Sequence, residues 1–209
     1  APMYVRRNYM ALKEHGIDLK GTYQDVFTIV ELDECDHPWH RMTRKECAEY
    51  RKACFDFVMA HGIAISSEEI IDWAMQTLCY CHHAPQVPSV APDFPQGYPL
   101  PLSNLVYHDC VIQPAHLGVG PSYNSDLAEG QNGLLLALLN GNAGYLPIEP
   151  TQEDIDKYKL VAAFQEKTQY LEMLRHEYLS DTVQRTTFEG GITVTIDTAK
   201  NTYVIEGLD

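Results

Sequence analysis

Apolar residues in the first half of the chain alternate between helical spacing and short runs of the kind that form buried strands. Glycine follows two of the helical segments, at Gly16 and Gly62, and a capping box of Thr43 and Glu46 begins the second one. These patterns predict helices over 4–15, 43–61 and 69–78, and strands over 21–27, 63–67 and 78–80.

The pattern of the second half changes near Ser180. Before it, we predict a proline-rich loop over 83–101, a strand over 105–112, and helices over 133–139 and 154–178. After it, three β-rich runs surround Glu189-Gly-Gly and the turn Asp197–Asn201, which is typical of antiparallel hairpins. We therefore predict an α/β region over 1–180 and the beginning of a β-sandwich-like domain over 181–209.

Helices that alternate with apolar strands indicate a parallel sheet covered by helices, and hence the α/β class. Specifically, we predict the C-terminal portion of a (β/α)8 TIM-type barrel, followed by the start of a small antiparallel β domain. Such a barrel takes about 250 residues, and this chain of 209 residues supplies three or four βα units. We expect the remaining barrel segment to come from another chain or from a missing N-terminal region.

The net charge of the chain limits the classes of molecule that it can bind. The chain has 29 acidic and 15 basic residues, for a formal net charge of −14. Binding to a phosphate backbone requires clustered lysine and arginine, so we expect no nucleic-acid partner. No apolar stretch approaches the roughly 20 residues of a membrane span, so we expect no membrane partner either. Neutral sugars fit this charge.

The six cysteines are read as reduced core residues rather than as a disulfide framework. Cys47 and Cys54 are seven positions apart on a predicted helix, too far to bridge each other. With no signal peptide at the start, these features favour a cytoplasmic location, with a secreted protein as the alternative. The first residue is not Met, which we interpret as a sign of a processed or divided polypeptide.

Two carboxylates lie at or just beyond the carboxyl ends of predicted neighbouring strands, where barrel enzymes build their active sites. Asp25 lies in the strand over 21–27, and Glu68 follows the strand over 63–67. Neighbouring strand ends can hold two carboxyl groups about 5 Å apart, the separation that retaining glycosidases use. One carboxylate then attacks the anomeric carbon, and the other serves as acid and base. A structural role for either carboxylate, as a helix cap or in an ion pair, remains the alternative.

Three segments carry a resemblance to a known group of enzymes: GTYQDVF, IAISSEEIIDW and PLSNLVYHDC. Together they resemble the catalytic region of the barrel glycosidases of families 101 and 129. That resemblance implies a retaining α-glycosidase acting on α-linked N-acetylgalactosamine, with Asp25 as nucleophile and Glu68 as acid/base. It covers roughly residues 22–109.

Glu69 is the rival acid/base, although an acid in the first turn of a helix also suits the helix dipole. Further residues are candidates for contacting the sugar, because they lie on the loop over 31–40 or near predicted strand ends; each has packing or solvent exposure as its alternative. Aromatic rings suit the apolar side of a pyranose. The candidates are Trp39, His40, Trp73, Tyr107, His108 and Asp109.

Cofactors are not expected, and calcium at the run Asp33–Asp36 is the alternative. Two other functions stay open. One is a metal-dependent hydrolase that uses His82, His83, His108 and Asp109. Zinc would require about four such ligands to meet in tetrahedral geometry. The other is a non-catalytic carbohydrate-binding subunit of a larger complex.

Overall fold

A computed structural model describes residues 2–24, 32–83, 100–114 and 133–208, without the side chains of Glu69 and His83. The chain divides into two compact units, Ala1–His82 and His83–Asp209. The model confirms an α/β class, with a parallel strand pair, helices and an antiparallel sheet. The predicted boundary near Ser180 and the partial barrel stay predictions.

The first unit builds a small sheet beside two helices. Strand β1 (Gly21–Tyr23) pairs in parallel with strand β2 (Ala64–Glu69), with Gly21 opposite Ala64 and Tyr23 opposite Ser66. Strand β3 lies on the other side of β2, and its position is two residues later than predicted. The elements in chain order are α1 (Pro2–Glu14), β1 (Gly21–Tyr23), α2 (Arg44–Met59), β2 (Ala64–Glu69) and β3 (Tyr80–His83).

Helix α2 begins at the predicted capping box. The Thr43 side chain accepts from the backbone N–H of Glu46, and Glu46 accepts from the backbone N–H of Thr43 at 2.7 Å. These hydrogen bonds from Thr43 hold the pKa of Glu46 below its ordinary value. The helix buries Cys54, Phe55 and Val58 and packs against β2. This packing supports the strand that carries Glu68.

The second unit places helices against a four-stranded antiparallel meander. Its core centres on Phe188, which is fully buried and contacts Phe164 at 5.9 Å between ring centroids. The turn between the second and third strands has Gly190 and Gly191 at positive φ, as the Glu-Gly-Gly signal predicted. The elements are α3 (Leu102–Tyr107), α4 (Gly133–Asn140), α5 (Gln152–Thr168), β4 (Met173–Tyr178), β5 (Val183–Phe188), β6 (Thr193–Asp197) and β7 (Thr202–Glu206).

One predicted helix was too long, and another does not form. The helix predicted over 154–178 ends at Thr168, and residues 173–178 form β4 instead, because their main chain pairs with β5. The helix predicted over 69–78 is a series of turns, since β2 extends through Glu69. In residues 173–178, pairing with a neighbouring strand outweighed the helical spacing of the side chains.

The strand predicted over 105–112 was wrong. Residues 102–107 form α3, which follows Pro101, and α3 contacts β4. Asn104 and His108 are four positions apart, and both are buried. That spacing of four matches one face of a helix rather than one face of a strand.

All six cysteines are free. Cys47, Cys54 and Cys81 are buried as predicted, and burial raises the pKa of the Cys54 thiol. Cys79 and Cys110 are exposed, so the prediction that all six lie in the core was wrong. Among the helices that the model describes, none is long and apolar enough to cross a membrane.

Candidate active site

Glu68 lies near the carboxyl end of β2, one strand away from the segment that leads to Asp25. Its side chain is only 8% exposed. The Tyr23 hydroxyl on β1 donates a hydrogen bond to Glu68 Oε1. Glu68 Oε2 is buried and has no hydrogen-bond partner within the described part of the chain. A carboxyl group that is held in place near a strand end is a candidate for proton transfer.

Hydrogen bonds join the three strands at the residues next to Glu68. The backbone N–H of Gln24 donates to Ser66 O at 2.8 Å. The Ser67 hydroxyl donates to Gln24 O at 2.7 Å, and the Cys81 thiol donates to Glu68 O at 3.2 Å. Three strands are thereby joined next to the carboxylate.

Alternation along β2 separates two faces. Ile65 and Ser67 lie on one face and are almost completely buried, while Ser66 and Glu68 lie on the other. Tyr23 shares the second face, because it pairs with Ser66. The His82 ring packs edge-on against Tyr23 at 4.8 Å and against Tyr80 at 4.6 Å. We call Tyr23, Glu68, Tyr80 and His82 the Glu68 cluster.

Sequence reasoning missed Tyr23 and Tyr80 and considered His82 only as a metal ligand. The signal for Tyr23 was its position two residues before Asp25, which is the period of a strand face. The register that brings Tyr23 to Glu68 depends on residues 45 positions apart, so it was not readable from either segment alone.

Asp25 lies outside the described residues, so its role as nucleophile stays a prediction. Glu69 is the last residue of β2, and its side chain lies outside the described part. Its assignment as the rival acid/base also stays a prediction. The model therefore describes one member of the predicted catalytic group, Glu68.

The loop before α2 carries two of the predicted sugar contacts. Hydrogen bonds between Cys35 and Met42 close it, at 2.9 Å in each direction. Trp39 is 90% exposed, whereas His40 stacks on His37 at 4.4 Å. His40 Nδ1 also lies 3.2 Å from Cys35 Sγ. An exposed indole here is available to a ligand.

Trp73 lies in the turns after β2 and stacks on the buried Phe55, with ring centroids 6.2 Å apart. This is the packing role that the sequence left open. A sugar contact by Trp73 stays a prediction.

Tyr107, His108 and Asp109 lie in the second unit, at the end of α3 rather than along a strand. Their predicted position near a strand end was therefore wrong. His108 is buried, with Nδ1 at 2.8 Å from Leu171 O and Nε2 at 3.3 Å from Gly141 O. Burial holds the pKa of His108 below its ordinary value, although the two carbonyl contacts act in the opposite direction. Asp109 accepts from the Cys110 thiol at 3.1 Å, and this hydrogen bond raises the pKa of Cys110.

The described side chains do not form a metal site. Within them, no three residues of the types His, Cys, Asp and Glu lie close enough together to hold one ion. In the acidic run, Asp33 pairs with Arg51 at 3.1 Å and Asp36 pairs with Arg41 at 3.6 Å. Calcium binding by this run stays a prediction.

No family model and no curated protein matches the chain. Solved structures of alpha-N-acetylgalactosaminidase NagBb from Bifidobacterium bifidum do match. The chain is therefore similar to part of a glycosidase. A quadruple mutant of NagBb is 43% identical, with a TM-score of 0.82 over 99% of this chain and 34% of that one.

Two further structures of the same enzyme agree. The GalNAc complex is 42% identical, with a TM-score of 0.80 over 100% of this chain and 34% of that one. The Gal-NHAc-DNJ complex is 41% identical, with a TM-score of 0.80 over 98% of this chain and 35% of that one. The chain thus spans about a third of the length of the relative it matches. This similarity supports the glycoside hydrolase class.

Proposed function

We propose that this chain forms part of a glycoside hydrolase that cleaves α-linked N-acetylgalactosamine with retention of configuration at the anomeric carbon. The observation that carries the proposal is the buried Glu68 carboxylate. It lies near the carboxyl end of a parallel strand, next to the strand that leads to Asp25, with Oε1 held by Tyr23. The similarity to NagBb supports the choice of sugar.

The stereochemistry of this sugar explains why two protein carboxylates are needed. In an α-linked N-acetylgalactosamine, the acetamido group and the glycosidic oxygen lie on the same side of the ring. The acetamido oxygen therefore cannot attack C1 from the opposite side, so the nucleophile must come from the protein. Asp25 takes this role in the proposal.

The reaction proceeds in two balanced steps. An oxygen of Asp25 forms a bond to C1 while the bond from C1 to the glycosidic oxygen breaks, and Glu68 gives that oxygen its proton. A water molecule then attacks C1 and gives a proton to Glu68. As the new bond to C1 forms, the bond between C1 and Asp25 breaks. The sugar leaves with its original configuration, because C1 has been inverted twice.

Asp25 stands two positions after Tyr23, the separation of residues that share one face of a strand. This spacing supports a position for Asp25 on the same side of the sheet as Glu68. The exposed Trp39 is the best supported of the predicted sugar contacts, because its ring is not covered.

The partial barrel and its partner belong to the same proposal. The first unit has a parallel strand pair and helix α1, in which no residue is buried and Met3 and Tyr4 are largely exposed. Further strands and helices would cover such surfaces in a (β/α)8 barrel. We expect them from another part of the same protein or from another chain.

A panel of α- and β-linked nitrophenyl glycosides tests the proposed function. It is applied to the intact protein or assembly that contains this chain. The expected result is hydrolysis of the α-N-acetylgalactosaminide and loss of that activity in Asp25→Asn, because the variant side chain cannot form the glycosyl ester. Initial rates of nitrophenol release measure both.

Asp18→Asn is the matched control, since Asp18 lies in the same unit and forms a surface ion pair with Lys20 at 2.8 Å. It should keep the wild-type rate. Sugar binding without hydrolysis of any member of the panel would contradict the proposal and favour a non-catalytic carbohydrate-binding subunit.

A further inference from the structure

We propose that Tyr23 is a positioning residue for Glu68, which fixes Oε1 and leaves Oε2 as the oxygen that transfers the proton. This inference rests on the proposed function, because it assigns a role within the same reaction. It concerns a side chain that acts through Glu68 rather than on the sugar.

The register of the sheet explains how Tyr23 reaches Glu68. Tyr23 pairs with Ser66, so Glu68 lies two residues further along the neighbouring strand and on the same face. Two residues span roughly 6.6 Å along a strand, a distance that a tyrosine side chain can cover. Its hydroxyl accordingly donates to Glu68 Oε1.

Neighbouring groups restrict the movement of Tyr23 and of the two strands. The His82 ring packs edge-on against the Tyr23 ring, with the centroids 4.8 Å apart. The hydrogen bonds from the Gln24 backbone to Ser66 and from the Ser67 hydroxyl to Gln24 join the two strands at this level. The phenol is therefore presented to the carboxyl group in one orientation.

This arrangement makes the two carboxyl oxygens unequal. Oε1 accepts the phenol hydrogen, while Oε2 is buried without a hydrogen-bond partner in the part of the chain that the model describes. A protonated carboxyl group has one O–H donor, and Oε2, which has no partner among the described residues, is the place for it. Tyr23 is itself 45% exposed, so solvent reaches the tyrosine that holds this buried carboxyl group.

Tyr23→Phe removes the hydroxyl and keeps the ring, and its effect should depend on the leaving group. For an alkyl α-N-acetylgalactosaminide, whose oxygen needs a proton in order to leave, we expect kcat/KM to fall about 10- to 100-fold, the range for losing a hydrogen bond to a charged group. For the 2,4-dinitrophenyl glycoside, which leaves without protonation, we expect a loss of less than about threefold. Competitive inhibition by free N-acetylgalactosamine should stay at its wild-type value.

Tyr50→Phe is the matched control, because it makes the same chemical change at an exposed position on α2. Equal losses on both substrates in Tyr23→Phe, or no loss on either, would overturn the positioning role while leaving the proposed function intact. Failure of the wild-type protein to hydrolyse either glycoside would instead overturn the proposed function.

Discussion

Glu68→Gln is expected to lower kcat/KM for an alkyl α-N-acetylgalactosaminide by roughly 10²- to 10⁴-fold, the contribution typical of a general acid. Glutamine has nearly the same shape as glutamate and can still accept from Tyr23, so the strand and its neighbours should keep their arrangement. It has no acidic proton to give to the leaving oxygen. The loss should therefore be small for the 2,4-dinitrophenyl glycoside.

Azide provides a second test of the role of Glu68 in the Glu68→Gln variant. The second half of the reaction needs a base to take a proton from water, whereas azide is already an anion and needs none. Added azide should raise the turnover of the 2,4-dinitrophenyl glycoside by Glu68→Gln, and the product should be the α-glycosyl azide. Product identity by NMR measures this outcome.

Glu69→Gln is the matched control, because it makes the same change one residue later in β2. It should keep wild-type activity toward both substrates and show no response to azide. Azide rescue in Glu69→Gln and not in Glu68→Gln would show that the acid/base is Glu69 and that the assignment of Glu68 is wrong.

Gly141→Ala is expected to give the largest loss of stability. Gly141 has φ +66°, and a Cβ built there would lie 2.2 Å from His108 Nε2. His108 has little room to retreat, because its Nδ1 lies 2.8 Å from Leu171 O and its ring lies 5.0 Å from the buried Phe188. Left-handed backbone strain and overpacking together cost roughly 2–5 kcal/mol in the free energy of unfolding.

Gly190→Ala separates the effect of backbone strain on stability from the effect of overpacking. Gly190 has φ +78°, but no atom lies within 4 Å of a Cβ built there, and it belongs to the same unit. Chemical denaturation should show a loss of only about 1–2 kcal/mol for Gly190→Ala, from the backbone strain alone. Equal losses in the two variants would mean that His108 moves aside freely, contrary to the packing described for it.

Local signals in the sequence predicted those parts of the fold that depend on local chemistry. The capping box at Thr43 set the start of α2, and the Glu-Gly-Gly turn set the hairpin between β5 and β6. The apolar run before Glu68 predicted β2, and with it the position of the carboxylate near a strand end. Each of these features is decided within a few residues of the chain.

Features that depend on distant residues were not predictable in the same way. Residues 105–107 have strand-forming side chains, yet they belong to α3, where Asn104 binds Asn142 at 2.7 Å and His108 binds Leu171. The contact between Tyr23 and Glu68 likewise depends on the register of two strands separated by a helix. Tertiary contacts of this kind override local propensity.

The central claim is that Asp25 and Glu68 work as nucleophile and acid/base on one sugar. Trapping the glycosyl enzyme with 5-fluoro-α-N-acetylgalactosaminyl fluoride tests it most directly, because the fluorine slows release of the sugar more than its attachment. Proteolysis and mass spectrometry then locate the label. We predict a sugar ester on Asp25 in the wild type and in Glu68→Gln, and no label in Asp25→Asn. A label on any other residue, or turnover of the substrate with no trapped ester, would contradict the account.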